Sequence, residues 1–153
     1  MTTLTWILLA LTLAIAIVDW FAVHTENKSL EYLAKPATMV PLIAAAGALD
    51  PAVPAMRTWF IVALVFSLIG DVFLMLPEPK LFVAGLGSFL LGHIAYIVGM
   101  RQGELSGAGL VVGAVLVVTG LIAIGPTVVK GAHDTDSTLA IPVLVYMIVI
   151  SIM

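Results

Sequence analysis

The chain has 153 residues, of which 62% are hydrophobic and 10% charged, with a net charge of -3. Soluble domains carry roughly 25% charged residues, so a water-soluble globule is excluded and an integral membrane protein is expected. Nine acids against six bases leave no basic patch for nucleic acid, and the absence of cysteine removes disulfides, a thiolate nucleophile and thiolate metal sites.

A hydrocarbon core of about 30 Å takes about 20 helical residues to cross. The apolar runs are continuous and do not alternate, which selects helices over a barrel. The expected fold is all-α: a polytopic transmembrane bundle of about six helices, forming a single domain over residues 1–153.

The first helix is expected over Leu4–Val23. It lacks the basic leader of a signal peptide and is read as retained. Asp19 lies near its end beside Trp20, a setting that suits the aromatic belt at a membrane interface. His24–Tyr32 is expected to be a polar loop, and a second helix follows over Leu30–Leu49. Pro36 suits a first helical turn, where its missing N–H does no harm, and Pro41 is expected to kink the helix. Lys35 has three readings: snorkelling to headgroups, binding a phosphate, or pairing with an acid.

The third helix, Arg57–Leu76, contains Asp71, with Ser67 one turn earlier on the same face. From Trp59 to Leu76 Asp71 is the sole ionisable side chain. A charge near hydrocarbon costs at least ~2.5 kcal/mol, so something must offset it. The options are a buried hydrogen bond, a protonated and inert acid, or a polar cavity where chemistry or transport takes place.

The short loop Pro77–Lys80 makes the third and fourth helices antiparallel neighbours. In the fourth, Leu81–Met100, Gly85, Ser88 and Gly92 form a small-residue strip for close helix packing. His93 and Tyr96 share part of one face; at this depth a histidine is a packing element or a proton relay. After the loop Arg101–Gly107, the fifth helix, Gly109–Pro126, offers Gly109, Gly113 and Gly120 for packing. Val128–Thr138 is expected to be a polar loop with His133, Asp134 and Asp136 solvated. The histidines show no helix-spaced ligand pair and the loop too few oxygens for calcium, so no metal centre is expected.

The sixth helix starts near Leu139 and contains Pro142 and Tyr146. The sequence stops at Met153 inside an apolar run, so the chain is expected to be part of a longer protein.

Helices that alternate direction place the loops after the first, third and fifth on one membrane side. At about 1.5 Å per residue, Asp19, Lys35 and Asp71 then lie roughly 6 to 9 Å inside the same boundary, with His93 about 10 Å deeper than Asp71. Tyr146 enters from that side too. A shared, lipid-accessible pocket is expected. Lys28, Lys80 and Lys130 against Arg57 and Arg101 incline that side towards the cytoplasm.

Four stretches, Lys35–Met39, Ser67–Met75, Phe82–Tyr96 and Pro142–Met153, come in an order and spacing that resembles the YhhN family of membrane proteins, which includes the lysoplasmalogenases. The resemblance implies an eight-helix protein of a bacterial inner membrane. Its active members hydrolyse the vinyl ether of lysoplasmalogens, without a cofactor, to a fatty aldehyde and a glycerophospho-headgroup. By the same resemblance Asp71, Lys35, Pro36, Gly92, His93, Tyr96 and Tyr146 match family motif positions, whereas the family's second aspartate motif lies beyond Met153.

Vinyl ether hydrolysis needs an acid that keeps its proton and a group that stabilises the resulting cation. Asp71 suits the first role and Asp19, or the family's further aspartate, the second, an arrangement analogous to glycosidases. Lys35 then binds phosphate, His93 and Tyr96 orient water or the acid, and Ser67 and Tyr146 contact a lysophospholipid substrate. A small proton-linked transporter and a non-catalytic lipid-binding protein are the readings from other classes.

Overall fold

The protein is described by a computed structural model covering residues 1–103 and 107–153. Six α-helices account for nearly all of it: α1 Thr3–His24, α2 Lys28–Ala48, α3 Pro54–Met75, α4 Pro79–Met100, α5 Gly107–Thr135 and α6 Ala140–Ile152, with a single 3-10 turn at Ser137–Leu139 before α6. Among the described residues four are long and apolar enough to cross a membrane: α1, α3, α4 and α5. These helices fit a multi-pass membrane protein, and large apolar side chains such as Trp6, Leu33 and Ile122 are exposed on its outside.

Proline and local side-chain caps set the boundaries. Pro54 and Pro79 open α3 and α4 at positions where a missing N–H is harmless. The α1–α2 turn is built from three residues. Glu26 takes the left-handed conformation (φ 54°) just past α1, while the amides of Glu26 and Asn27 donate to Val23 and Ala22. These bonds close a Schellman-type terminus. Asn27 also starts the next helix, its side chain accepting from the Leu30 amide at 3.1 Å.

Two expected boundaries are corrected by this geometry. The segment from Lys28 to Tyr32 is helix, not loop, so Pro36 sits inside α2 with Pro41 rather than in its first turn. Similarly, α5 runs through Lys130 to Thr135, and only Asp136 lies outside helix before the 3-10 turn. His133, Asp134 and Asp136 are nevertheless exposed, as expected. Asp136 bonds the amide and hydroxyl of Thr138, which holds its carboxyl below the usual range. Residues 104–106 of the expected loop Arg101–Gly107 lie outside the described residues.

Among the described residues the helices pack in series: α1 on α2, α2 on α3, α3 on α4, α4 on α6 and α6 on α5. The α3–α4 seam is the most extensive of these. Gly85, Ser88, Gly92, Ala95 and Gly99 recur at alternating steps of three and four, and all five are buried. A Cβ on Gly85 would stand 3.2 Å from the Gly70 carbonyl oxygen, and one on Gly92 would stand 3.2 Å from that of Ala63. Ser88 donates across the seam to the Phe66 carbonyl at 2.7 Å. The strip expected on the fourth helix is therefore the surface that meets α3.

The glycines of α5 behave otherwise. A Cβ on Gly113 or Gly120 would meet open space, and Gly125 is the position that approaches α6, with Met147 Cε at 3.3 Å. The side chain position of Gly109 lies outside the described residues.

Candidate functional site

The paired ends of α2 and α3 enclose a cavity of about 370 Å³. Lys28, Glu31, Tyr32 and Lys35 line it from α2; Asp71, Leu74 and Met75 line it from α3, and Pro77 closes it from the following loop. Lys28, Glu31 and Lys35 follow one another at steps of three and four, so the first turns of α2 present one charged face. That face meets α3 where Asp71 sits, one turn from the helix end.

Glu31 organises the α2 wall. Its two carboxylate oxygens each accept from one ammonium, Lys28 Nζ and Lys35 Nζ, both at 2.9 Å. Only 11% of the Glu31 side chain is exposed, against 70% of Lys28. The hydrogen bond from Lys28, then that from Lys35, holds the Glu31 carboxyl below the ordinary carboxylate range, and Glu31 in turn raises Lys28. One carboxylate between two ammonium groups leaves the wall net positive. Each lysine keeps donors for an anion, because an ammonium carries three.

Asp71 is half-buried, and among the described residues no protein group hydrogen-bonds to it. The charges whose fields reach it are Lys35 and Asp19. Asp19 adds an orphan of its own: its Oδ1 is buried with no hydrogen-bond partner among the described residues. Ser67, one turn before Asp71, donates back to the Ala63 carbonyl at 3.0 Å and packs beside Gly92, so its hydroxyl belongs to the α3–α4 seam. The structure thus brings Lys35 and Asp71 to one cavity with Asp19 nearby.

It does not bring the other expected residues there. His93 lies eight residues beyond Gly85, roughly 12 Å further along α4. Its Nδ1 is 2.6 Å from the Phe89 carbonyl oxygen of its own helix, and its ring meets the Tyr146 ring edge-on at 5.3 Å between centroids. Tyr96 turns instead to α3, edge-on to Phe60 at 5.2 Å. The expected shared face of His93 and Tyr96 is divided between two neighbours, because residues three apart still differ by about 60° in direction. Glu31 was missed in the sequence although its signal was present: an acid three residues after one lysine and four before another.

Comparison with known proteins assigns the chain to a family. The YhhN family model matches residues 30–153, which includes Glu31, Lys35 and Asp71 but not Asp19. The chain belongs to the YhhN family. It is also 34% identical over 122 residues to proteins named lysoplasmalogenase from Mycobacterium bovis and Mycobacterium tuberculosis. The match covers 76% of this chain and 45% of each relative, so the chain spans about half the length of the curated relatives it matches. No solved structure matches.

Proposed function

We propose that this YhhN protein is a membrane-embedded hydrolase that cleaves the vinyl ether bond of lysoplasmalogens at the Lys35–Asp71 cavity. The observation that carries the reading is the pairing, across one cavity, of an ammonium face suited to phosphate with a carboxyl that no donor among the described residues engages. The curated relatives bear the name of that activity. The lysophospholipid headgroup sits against Lys35 and Lys28, and its vinyl ether reaches Asp71 a short distance inside the boundary.

The chemistry follows from the bond. The protonated Asp71 carboxyl gives its proton to the β-carbon of the vinyl ether, leaving an oxocarbenium ion at the carbon bound to oxygen. Water attacks that carbon and gives a proton to Asp19, and the hemiacetal collapses: its hydroxyl proton returns to the Asp71 carboxylate, the carbon's bond to the glycerol oxygen breaks, that oxygen takes the proton held by Asp19, and the aldehyde departs. Asp19 enters this scheme ionised, where it stabilises the cation and then accepts a proton from the attacking water, as the general-base carboxylate of an inverting glycosidase does. A buried carboxylate oxygen without a donor, as Asp19 Oδ1 is, suits that role. Lys35 positions the substrate without entering the proton transfers. His93, Tyr96 and Tyr146 shape the deeper packing of α4 against α3 and α6.

Incubation of the purified protein with a lysoplasmalogen in D2O tests the scheme. The expected products are equal amounts of glycerophospho-headgroup and fatty aldehyde, the aldehyde bearing one deuterium on the carbon next to the carbonyl. Unchanged lipid would overturn the activity, and aldehyde without that deuterium would overturn protonation at carbon.

A further inference from the structure

A second cavity, also about 370 Å³, lies at the opposite end of the α2–α3 groove, where α2 ends and α3 begins. Leu64, the α3 residue of its wall nearest to the first cavity, is seven residues from Asp71, roughly 10 Å along α3, and the two cavities share no lining residue. Ala46, Met56, Phe60 and Leu64 make this one apolar inside, and its rim carries Asp50 and Arg57.

The rim charges are placed but not used up. Arg57 Nη1 donates to the carbonyls of Leu49 at 2.8 Å and Gly47 at 3.4 Å, capping the C-terminus of α2 and fixing the guanidinium at the cavity. A guanidinium has five N–H donors in a planar fork. Among the described residues the remaining ones meet no protein acceptor, Asp50 meets no donor, and the two charges do not pair with each other. The N-terminus of α3 beside them has no side-chain cap, which adds its partial positive charge to the Arg57 side.

We propose that this cavity binds a single-chain zwitterionic phospholipid, at a site distinct from the Lys35–Asp71 cavity. Its phosphate takes the open face of the Arg57 guanidinium, its ammonium faces Asp50, and the first part of its chain lies against Phe60 and Leu64. Opposite charges left unpaired at the rim of an apolar slot complement a headgroup that carries both signs. A purely apolar ligand would leave them so, and a simple anion would meet Asp50.

The test is native mass spectrometry of the purified protein in a neutral detergent, titrated with 1-acyl lysophosphatidylcholine, which has no vinyl ether to cleave. Arg57→Gln removes the charge and keeps a polar side chain, and Ala46→Leu fills the slot without touching the rim. Each is expected to weaken one binding event about ten-fold, the loss of a charge-assisted contact or of the chain's space. Lys35→Ala is expected to leave that event unchanged, so this site stands or falls independently of the proposed hydrolase. Equal affinity of both rim and slot variants with the unsubstituted protein would overturn it, as would equally tight binding of a monoacylglycerol with the same chain.

Discussion

The two faces of α3 are packed on opposite principles. Towards α4 it meets a strip of glycine, serine and alanine so closely that a Cβ on Gly85 or Gly92 would press within 3.2 Å of a backbone oxygen, and a serine hydroxyl bridges the helices. Towards α2 it meets longer side chains, and cavities remain at both ends of the groove. The difference separates fixing from binding. The α4 seam sets the height and rotation of α3, and so of Asp71, while the α2 side leaves the room a ligand needs.

The contrast is most easily broken at the seam. Gly92→Leu puts a branched side chain against the Ala63 carbonyl and Ser67, and is expected to destabilise the protein by about 3 kcal/mol, read as a fall in thermal midpoint in detergent. The same substitution at Gly113, which faces open space, is expected to change little. Equal effects at the two positions would mean that the seam is not the rigid face.

On the α2 side the expected effects are on binding. Lys35→Ala removes a charged donor to phosphate and is expected to weaken a lysophospholipid by about ten-fold or more, seen as a raised KM with a smaller change in kcat. An equal fall in kcat and kcat/KM would assign Lys35 to the transition state instead. Asn27→Ala acts earlier in the chain, removing the cap that starts the charged face of α2, at a cost of about 1 kcal/mol. Its signature is a lower thermal midpoint with the same catalytic parameters in the surviving folded protein.

The smallest expected effect is a pH dependence. Because the folded protein holds the Glu31 carboxyl below its ordinary value of 4.5, its contribution to stability is present above that value and is lost as pH falls through the lower folded one. Thermal midpoints measured from pH 7 down to pH 3 are expected to fall more steeply than in Glu31→Gln. Parallel curves would remove Glu31 as the organiser of the wall.

Much of this was legible in the sequence because it depends on regular geometry. A fixed rise per residue and short turns put Lys35 and Asp71 at one depth before any contact was known, and the spacing of Gly85, Ser88 and Gly92 announced the seam. The start of α2 was hidden by its own charges. Lys28, Glu31 and Lys35 lower the hydropathy of a segment that Asn27 nevertheless caps as helix, so it reads as loop until the pairing along one face is counted. Helix rotation was not legible either. Depth says nothing about direction around an axis, and His93 and Tyr96, neighbours in sequence pattern, face α6 and α3 respectively.

Asp71 decides the account. Asp71→Asn keeps the shape of the side chain and the seam beside it but has no acidic proton to give. Aldehyde release from a lysoplasmalogen, measured at equal amounts of folded protein, is expected to fall at least about 100-fold, the scale of a lost general acid. Release within a few-fold of the unsubstituted protein would contradict the role given to the carboxyl in this cavity.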